Sequence, residues 1–547
     1  MTSTPLHYAS LWEAIADRIP DKPALRHGPR VAAWGEFEAR AARLAGALRA
    51  HGIGREDAVG AYLYNRPEYF EVYFAAFKIR AWPFNANYRY RGSELQNLLD
   101  NSAAKVLFYD ATLREQVASV VERSPSLRLL VEVGSGGSGP EVPGSVRYEE
   151  LLASADLAPR IDRPESDFYL NYTGGTTGLP KGVLVEIGKA VRTALWFRDL
   201  YIDEHPSADP VEFAVRHAQG EAPLAAIPAS PVMHGVGFMM TSLPTLLSGG
   251  TVTTLESKAL DVDELLRTVA ATRTQFVGLV GDAFALPIVR ALSAGAPDGE
   301  PYDTSSLRII ASAGVTWSAQ LKARLLDHIP QVTLLDACGS TEGVTYGVKR
   351  TRHGDSLSTA TFDPGPGLKV LSLTGEELPP GEVGLLAGPT QATGGYHRSA
   401  ESTAATFLTL DGTVYAVPGD LGRVEPDGSV TLIGRGVSTI NTGGEKVYPT
   451  EVQEVIQALE HVDDCLVFGV PDERFGQAVA AIVVPEPGHH LDADDLARSV
   501  RVSLAGYKVP SRIRFVEQVP RTASGKIDYS AVTELISQDA SGALDPL

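Results

Sequence analysis

FYLNYTGGTTGLPKGVLVEI, residues 168–187, sets a segment of small residues between two apolar runs. Its middle, YTGGTTGLPKG (172–182), holds four glycines and three threonines in eleven positions and ends beside Lys181. Glycines let the backbone curl and expose its N–H groups, threonines add hydroxyl donors, and the lysine adds a positive charge. Together they suit a polyphosphate. A plain turn between FYLNY and VLVEI would explain Gly and Pro but not three threonines. The segment is not a Walker loop, which needs Gly-Lys-Ser/Thr opening a helix; here Pro180 precedes Lys181 and strand-like residues follow.

Outward from this segment, helical periodicity alternates with short apolar strands. EFEARAARLAGALRAHGI (36–53) carries an alanine and leucine face and ends at a glycine, as an amphipathic helix does; AKVLFYD (104–110) reads as a buried strand. ELLRTVAAT with QFVGLV, and QLKARLLDHI with VTLLDA, repeat the pairing. The alternation predicts an α/β fold, a large N-terminal domain of layered α/β subdomains with mainly parallel sheets. GSGGSGPEVPG (134–144) reads as a surface loop. Residues 222–255 contain no Asp, Glu, Lys or Arg, but Pro223, Pro228, Pro231 and Pro244 would break a membrane span repeatedly, so the run reads as buried strands and loops lining an apolar pocket. After Arg435 the texture changes to helix PTEVQEVIQAL, strands CLVFGV and AVAAIVV, helix DADDLARSVRVSL and strand RIRFVEQV, which is enough for a separate small α+β domain. The expected division is residues 1–435 and 436–547.

Whole-chain properties exclude several function classes. With 547 residues, of which 44% are hydrophobic, the chain can bury substantial cores and is not disordered. A net charge of −19 disfavours a surface for nucleic acid or acidic lipid, while a local phosphate pocket stays allowed. The two cysteines, Cys338 and Cys465, offer neither a disulfide framework nor a zinc spacing, which suits a reducing cytoplasm. Acidic residues interrupt the N-terminus before any signal-peptide core develops.

Further stretches are each weak when taken alone. DACGSTEG (336–343) places a small-residue turn after the strand VTLL, with Thr341 and Glu342 adjacent as a hydroxyl and a carboxylate that could hold a divalent cation. VYAVPGDLG (414–422) presents Asp420 in a turn, where its two oxygens could accept from both ribose hydroxyls or simply form an Asx-turn. IGRGVSTINTGGEKVYPTE (433–451) has Arg435 at the texture change, and PRTASGKID (520–528) sets Lys526 in a Gly/Ser loop.

In their order and spacing, YTGGTTGLPKG, PVMHGVG, DACGSTE, VPGDLG, GRGVSTINTGGEKVYPTE and PRTASGK resemble the core motifs of the adenylate-forming superfamily, which includes acyl-CoA synthetases, firefly luciferase and peptide-synthetase adenylation domains. The resemblance spans essentially the whole chain and is strongest toward bacterial fatty and aryl acyl-CoA synthetases. It implies ATP, Mg²⁺ and coenzyme A. Thr173, Gly174, Gly175, Thr176, Thr177, Gly178 and Lys181 would surround the β- and γ-phosphates. Gly314 and the run Asp336, Ala337, Cys338, Gly339, Ser340 and Thr341 would lie along the nucleotide, with Thr341 on the α-phosphate and Glu342 on the metal. Asp420 and Arg435 would hold the ribose, and Lys526, swung in from the small mobile domain about a hinge at Gly436 and Val437, would bridge carboxylate and nucleotide. His234 would lie by the acyl carboxylate, with Gly235, Gly237, Gly278, Gly281, Gly314 and Gly339 leaving room for the acid. Departures from the family pattern are Cys338 where an aromatic residue usually stacks on adenine, Glu186 and Ile187 where histidine often follows the lysine, and Val437 and Ser438 after the hinge glycine.

The reaction so implied is attack of a bulky hydrophobic carboxylate on the α-phosphorus of ATP, giving acyl-AMP and pyrophosphate, then displacement of AMP by coenzyme A. Two alternatives stay open: an enzyme that only adenylates and hands its product to a partner enzyme or carrier protein, and a nucleotide-binding protein without chemistry. Homodimerisation is likewise open; neither nucleic acid nor a membrane span is expected.

Overall fold

A computed structural model describes residues 4–520, except 138, 175–179, 203–208, 315, 316, 318, 359, 373, 436–439, 448 and 487. The chain forms two compact units: the larger takes most residues up to 435, and the smaller takes those from 440 on, together with residues 89–97 and the ends of the glycine-rich loop.

The larger unit is built on two principal sheets. One holds five strands, all parallel, in the order Trp82–Asn85, Ala58–Tyr62, Val106–Asp110, Leu129–Val133, Ser145–Arg147. Every residue of Ala58–Tyr62, Val106–Asp110 and Leu129–Val133 is buried, the signature of parallel strands covered on both faces. The other holds fifteen strands. Its centre is the parallel run Thr251–Thr254, Ala225–Pro228, Phe276–Leu279, Ile309–Ala313, Thr333–Ser340, and beyond Thr333–Ser340 it continues antiparallel through Val344–Thr351, Thr361–Pro364, Val430–Arg435 and Asp420–Val424.

The helix expected over 36–53 runs over Trp34–Ala50 and buries Phe37, Ala41, Leu44, Ala45 and Leu48. It stops where Gly52 takes φ +72 and Ile53 N donates to Leu48 O (3.0 Å), a left-handed cap that glycine adopts without a Cβ penalty. Helix Pro67–Lys78 is buried along its whole length, and Trp12 packs edge-on against Phe74 with ring centroids 5.2 Å apart. At its end Lys78, 2% exposed, donates to both Glu13 and Glu38 at 2.7 Å, so the charge in this core is compensated.

The charge-free run departs from its expected strands and loops. Strands Ala225–Pro228 and Thr251–Thr254 flank a π-helical segment, Val236–Ser242, that continues into helix Leu243–Leu247. Thr241 Oγ1 donates to Val236 O (2.8 Å) and Ser242 Oγ to Gly237 O (2.6 Å), each reaching five residues back and supporting the wide turn. Among the described residues no helix is long and apolar enough to cross a membrane.

In the smaller unit, Gly476–Pro485 pairs with Val462–Asp472, with Ile440–Thr442 and, in parallel, with Arg512–Phe515. Helices Pro449–Gln457 and Ala493–Ser503 bury Val452, Ile456, Leu496 and Val500 against Val467 and Val483. Two short strands were not anticipated, Ile440–Thr442 and Glu445–Val447. They are joined by Gly443 (φ +56) and Gly444 (φ +87), the two positive φ values of a tight hairpin turn.

Candidate active site

The strand Phe168–Gly174 enters the glycine-rich loop and Pro180–Glu186 leaves it, paired as a two-stranded sheet. Gly175, Thr176, Thr177 and Gly178 lie outside the described residues, as do the side chain of Thr173 and the whole of Lys526, Gly436 and Val437. The approach to the loop is fixed by Asn85, buried and unnoticed in the sequence. Its Nδ2 donates to Tyr172 O (3.0 Å) and Met233 O (2.8 Å), while Oδ1 accepts from Tyr172 N (2.7 Å). One amide thereby ties the strand entering the glycine-rich loop to the segment carrying His234. No motif marks such a residue, because its partners are backbone atoms far away in sequence.

Beyond the loop, Lys181 Nζ donates to Ser402 Oγ (3.2 Å) and lies 5.4 Å from the centroid of the Tyr396 ring. Tyr396 OH in turn donates to Glu342 Oε1 (2.6 Å), and Glu342 is 7% exposed. Thr390 Oγ1 donates to the Glu342 carbonyl and accepts from Ala392 N, securing the turn that carries the glutamate. Two stretches about 160 residues apart in sequence, the loop lysine and the glutamate of DACGSTEG, therefore meet through Tyr396. Sequence reading missed Tyr396 because it belongs to neither stretch; backbone bonds along Pro180–Glu186, including His397 N to Gly182 O (2.7 Å) and Leu184 N to Gly395 O (2.9 Å), put it there. Glu186 accepts from Thr393 Oγ1 (2.6 Å) in the same contact.

The strand expected to end at VTLL runs instead from Thr333 to Ser340, so the turn begins only at Thr341. This changes the surroundings of three residues assigned to the nucleotide. Asp336, 3% exposed, accepts from Lys322 Nζ at 2.6 Å; burial raises its carboxyl to about 6 against the opposing pull of Lys322. Ala337 and Cys338 are buried, Cys338 in a cluster with Tyr346, Phe362 and Leu386. The Asp336 carboxylate is thus held in an ion pair and the Cys338 thiol lies in a core. Gly339 is exposed, with a Cβ direction filled by Val344 O at 2.3 Å. Ser340 Oγ is buried and has no hydrogen-bond partner among the described residues, which leaves it fit for a ligand oxygen.

Asp420 opens the strand Asp420–Val424 rather than sitting within a turn, because the reversal falls at Gly419 (φ +97). Its Oδ2 accepts from Tyr346 OH (2.9 Å), and strand register places Arg435 opposite it.

The acyl-side glycines divide in two. Among the described residues no atom lies within 4 Å of a Cβ built on Gly235 or Gly314, so these directions are open there. A Cβ on Gly278 would sit 2.0 Å from Thr241 Oγ1 and one on Gly237 2.5 Å from Pro231 O, so these glycines allow close packing around the π-helical segment instead of leaving room. Gly281 takes φ +48 at the start of helix Gly281–Ala294, with its N–H donating to Ser312 Oγ (2.8 Å). His234 is half-buried just before the π-helical segment, and its carbonyl accepts from Phe238 N (3.0 Å). Two cavities of about 530 and 520 Å³ lie elsewhere in the larger unit, one lined by Glu13, Arg80 and Arg163, the other by Arg308, Arg350 and Arg352.

Residues 12–397 match the AMP-binding enzyme family and 451–526 the AMP-binding enzyme C-terminal domain. The chain belongs to the AMP-binding enzyme family. It is similar to the 3-oxocholest-4-en-26-oate–CoA ligase of Rhodococcus rhodochrous, 36% identical over 540 residues, with 96% of this chain and 95% of that protein covered. It is also similar to a medium/long-chain-fatty-acid–CoA/3-oxocholest-4-en-26-oate–CoA ligase of Mycolicibacterium smegmatis, 36% identical with the same coverage. Among solved structures, an amide bond synthetase from Marinactinospora thermotolerans superposes with a TM-score of 0.79 at 22% identity, covering 96% of this chain and 99% of that one, a likeness of fold. As an AMP-binding enzyme the chain is an acid–thiol ligase of the AMP-forming kind, using ATP and coenzyme A.

Proposed function

We propose that this ligase activates a bulky hydrophobic acid of the size of a long-chain or polycyclic carboxylate. The observation that carries the reading is near-full-length similarity to ligases named for a steroid acid and for medium- and long-chain fatty acids. The apolar run 222–255 and the open Cβ directions at Gly235 and Gly314 support it.

Roles follow from the chemistry of each group. Lys181, with Thr173, Thr176 and Thr177, neutralises the β- and γ-phosphates, Ser340 and Thr341 donate toward the α-phosphate, and Asp420 accepts from the ribose hydroxyls. Glu342 fits a Mg²⁺ ligand: its carboxylate meets a neutral hydroxyl and pairs with no Lys or Arg among the described residues. A bound Mg²⁺ would screen phosphate charge. His234 lies beside the acyl carboxylate, and Lys526 bridges carboxylate and nucleotide. A carboxylate oxygen then bonds to the α-phosphorus as its bond to pyrophosphate breaks; next the thiol sulfur bonds to the acyl carbon and AMP leaves. Both reactants of the first step are anions, so positioned cations and donors supply most of the catalysis. Lys526 and the thiol need the same acyl group in turn, so the region after Arg435 alternates between two orientations about Gly436 and Val437.

AMP release from acetate, octanoate, palmitate and 3-oxocholest-4-en-26-oate, with and without coenzyme A, tests the reading. Turnover that depends on coenzyme A is expected, with acetate at least about 100-fold poorer in kcat/KM than the best large acid. Acetate as the best acid would overturn it.

A further inference from the structure

The smaller unit carries a side-chain cluster that the adenylation chemistry does not use. Val462 faces Pro485 in the antiparallel pair of strands Val462–Asp472 and Gly476–Pro485, and the ladder extends one step outward as Glu486 N donates to His461 O (2.9 Å). The chain then reverses: Gly488 takes φ +86, and His489 N donates to Glu486 O (3.0 Å). These constraints stack the imidazoles of His461 and His489, with centroids 3.8 Å apart and planes within 10°. Glu486 Oε2 lies 3.2 Å from His461 Nδ1, and one donor atom from each of His461, Glu486 and His489 lies within 4.8 Å of the other two.

Two further features set the surroundings of the cluster. His461 holds φ +65, a left-handed turn conformation that fixes the direction in which its ring leaves the hairpin. On the far side of its ring, Glu460 Oε1 stands 3.8 Å from Nε2, so negative charge flanks the imidazole on both sides.

We propose that His461, Glu486 and His489 bind a divalent transition-metal ion of the Zn²⁺ class. Two imidazoles and a carboxylate are a donor set for Zn²⁺, leaving a fourth position to water, whereas Mg²⁺ and Ca²⁺ prefer oxygen donors throughout. Tetrahedral bonds of about 2.0–2.1 Å place neighbouring donor atoms roughly 3.3 Å apart, close to the separation His461 and Glu486 already have. His489 is exposed, so rotation about its side-chain torsions can bring its nitrogen to the same point. Bound there, the ion would clamp the open end of the hairpin.

Calorimetric titration of the chelator-stripped full-length protein with ZnCl₂ tests the site. One equivalent present in the wild type should be lost in the double variant His461→Asn, His489→Gln, and Glu486→Gln should weaken it at least about 10-fold. Asparagine at 461 removes the ligand while tolerating the left-handed backbone. Zn²⁺ held at Glu342 would persist in the double variant, so only the difference counts. Equal stoichiometry and affinity in wild type and double variant would overturn the proposal. Should the double variant fail to fold, the wild type loaded with Co²⁺ decides: visible absorption of a four-coordinate nitrogen–oxygen site supports it, and a colourless protein overturns it.

Discussion

Two lysines of the larger unit meet opposite surroundings. Lys322, 1% exposed on helix Ala319–His328, donates to Asp336 Oδ2 at 2.6 Å and to Ser358 O at 2.9 Å. Lys181 donates to a serine hydroxyl and lies over a tyrosine ring, and no carboxylate pairs with it among the described residues. The first charge is neutralised within the fold and pins a helix to the strand Thr333–Ser340. The second is held in place by neutral groups, so its field stays available to an anion. A charged residue serves the fold when its counter-ion is built in, and serves a ligand when its counter-ion must arrive.

The strongest way to break this contrast is to remove each lysine in turn. Lys322→Ala leaves Asp336 buried without its counter-ion, so that it must stay unpaired or take up a proton, and should cost about 3–5 kcal/mol in denaturant unfolding. Lys322→Met combined with Asp336→Leu should recover most of that loss, since an apolar pair needs no desolvation of charge. A double variant as unstable as the single one would show that packing, not charge, governs the position. Lys181→Ala should leave the unfolding midpoint nearly unchanged and lower kcat/KM for ATP about 100-fold in acid-dependent pyrophosphate exchange. A loss of stability that parallels the loss of activity would make Lys181 a second Lys322.

The sequence displayed what depends on local pattern and concealed what depends on tertiary partners. Apolar runs between helical periodicities located the parallel strands Val106–Asp110, Phe276–Leu279 and Thr333–Ser340, because burial on both faces leaves that signature. The π-helical segment stayed hidden, since Val236–Ser242 has no charge to mark an outer face. Asp336 reads as a ligand because it lies near Thr341 and Glu342; Lys322, fourteen residues earlier, gives it a counter-ion that no local pattern displays. Asn85 and Tyr396 act through distant contacts and carry no motif. Glycine was the most ambiguous residue, because room for a ligand and room for a neighbour look alike in sequence. Gly278→Ala should therefore destabilise by about 1–3 kcal/mol through overpacking against Thr241 and penalise acids of all lengths alike. Gly235→Ala should leave stability unchanged, and a rise in KM confined to large acids would mark it as an acyl contact. Equal unfolding midpoints for the two variants would erase the distinction.

A third buried group sharpens the same contrast through pH. His7 is fully buried before helix Tyr8–Arg18, where its Nδ1 accepts from Ala9 N (3.2 Å). Asp167 lies 3.8 Å from Nε2, but its two oxygens already accept from Arg80 at 2.6 and 2.8 Å, so the carboxylate does not compensate a proton on the imidazole. Burial, reinforced by Arg163 and Arg80, lowers the imidazole to about 3. Between its ordinary value of 6.5 and 3 the unfolded chain binds a proton that the folded chain refuses, so stability is lost as pH falls through that window. Asp336 has the opposite sign: raised from 3.8 to about 6, it contributes stability at low pH that is lost as pH rises through that interval. The two slopes partly cancel in the wild type, which makes a paired comparison necessary. His7→Asn keeps a side-chain acceptor for Ala9 N and removes the titration. Relative to its own stability at pH 7.5, the variant should lose about 1.4 kcal/mol less than the wild type by pH 5.5, read from denaturant midpoints. Parallel curves would mean that His7 takes up its proton within the fold with Asp167 as counter-ion, and the position would then resemble Lys322 rather than Lys181.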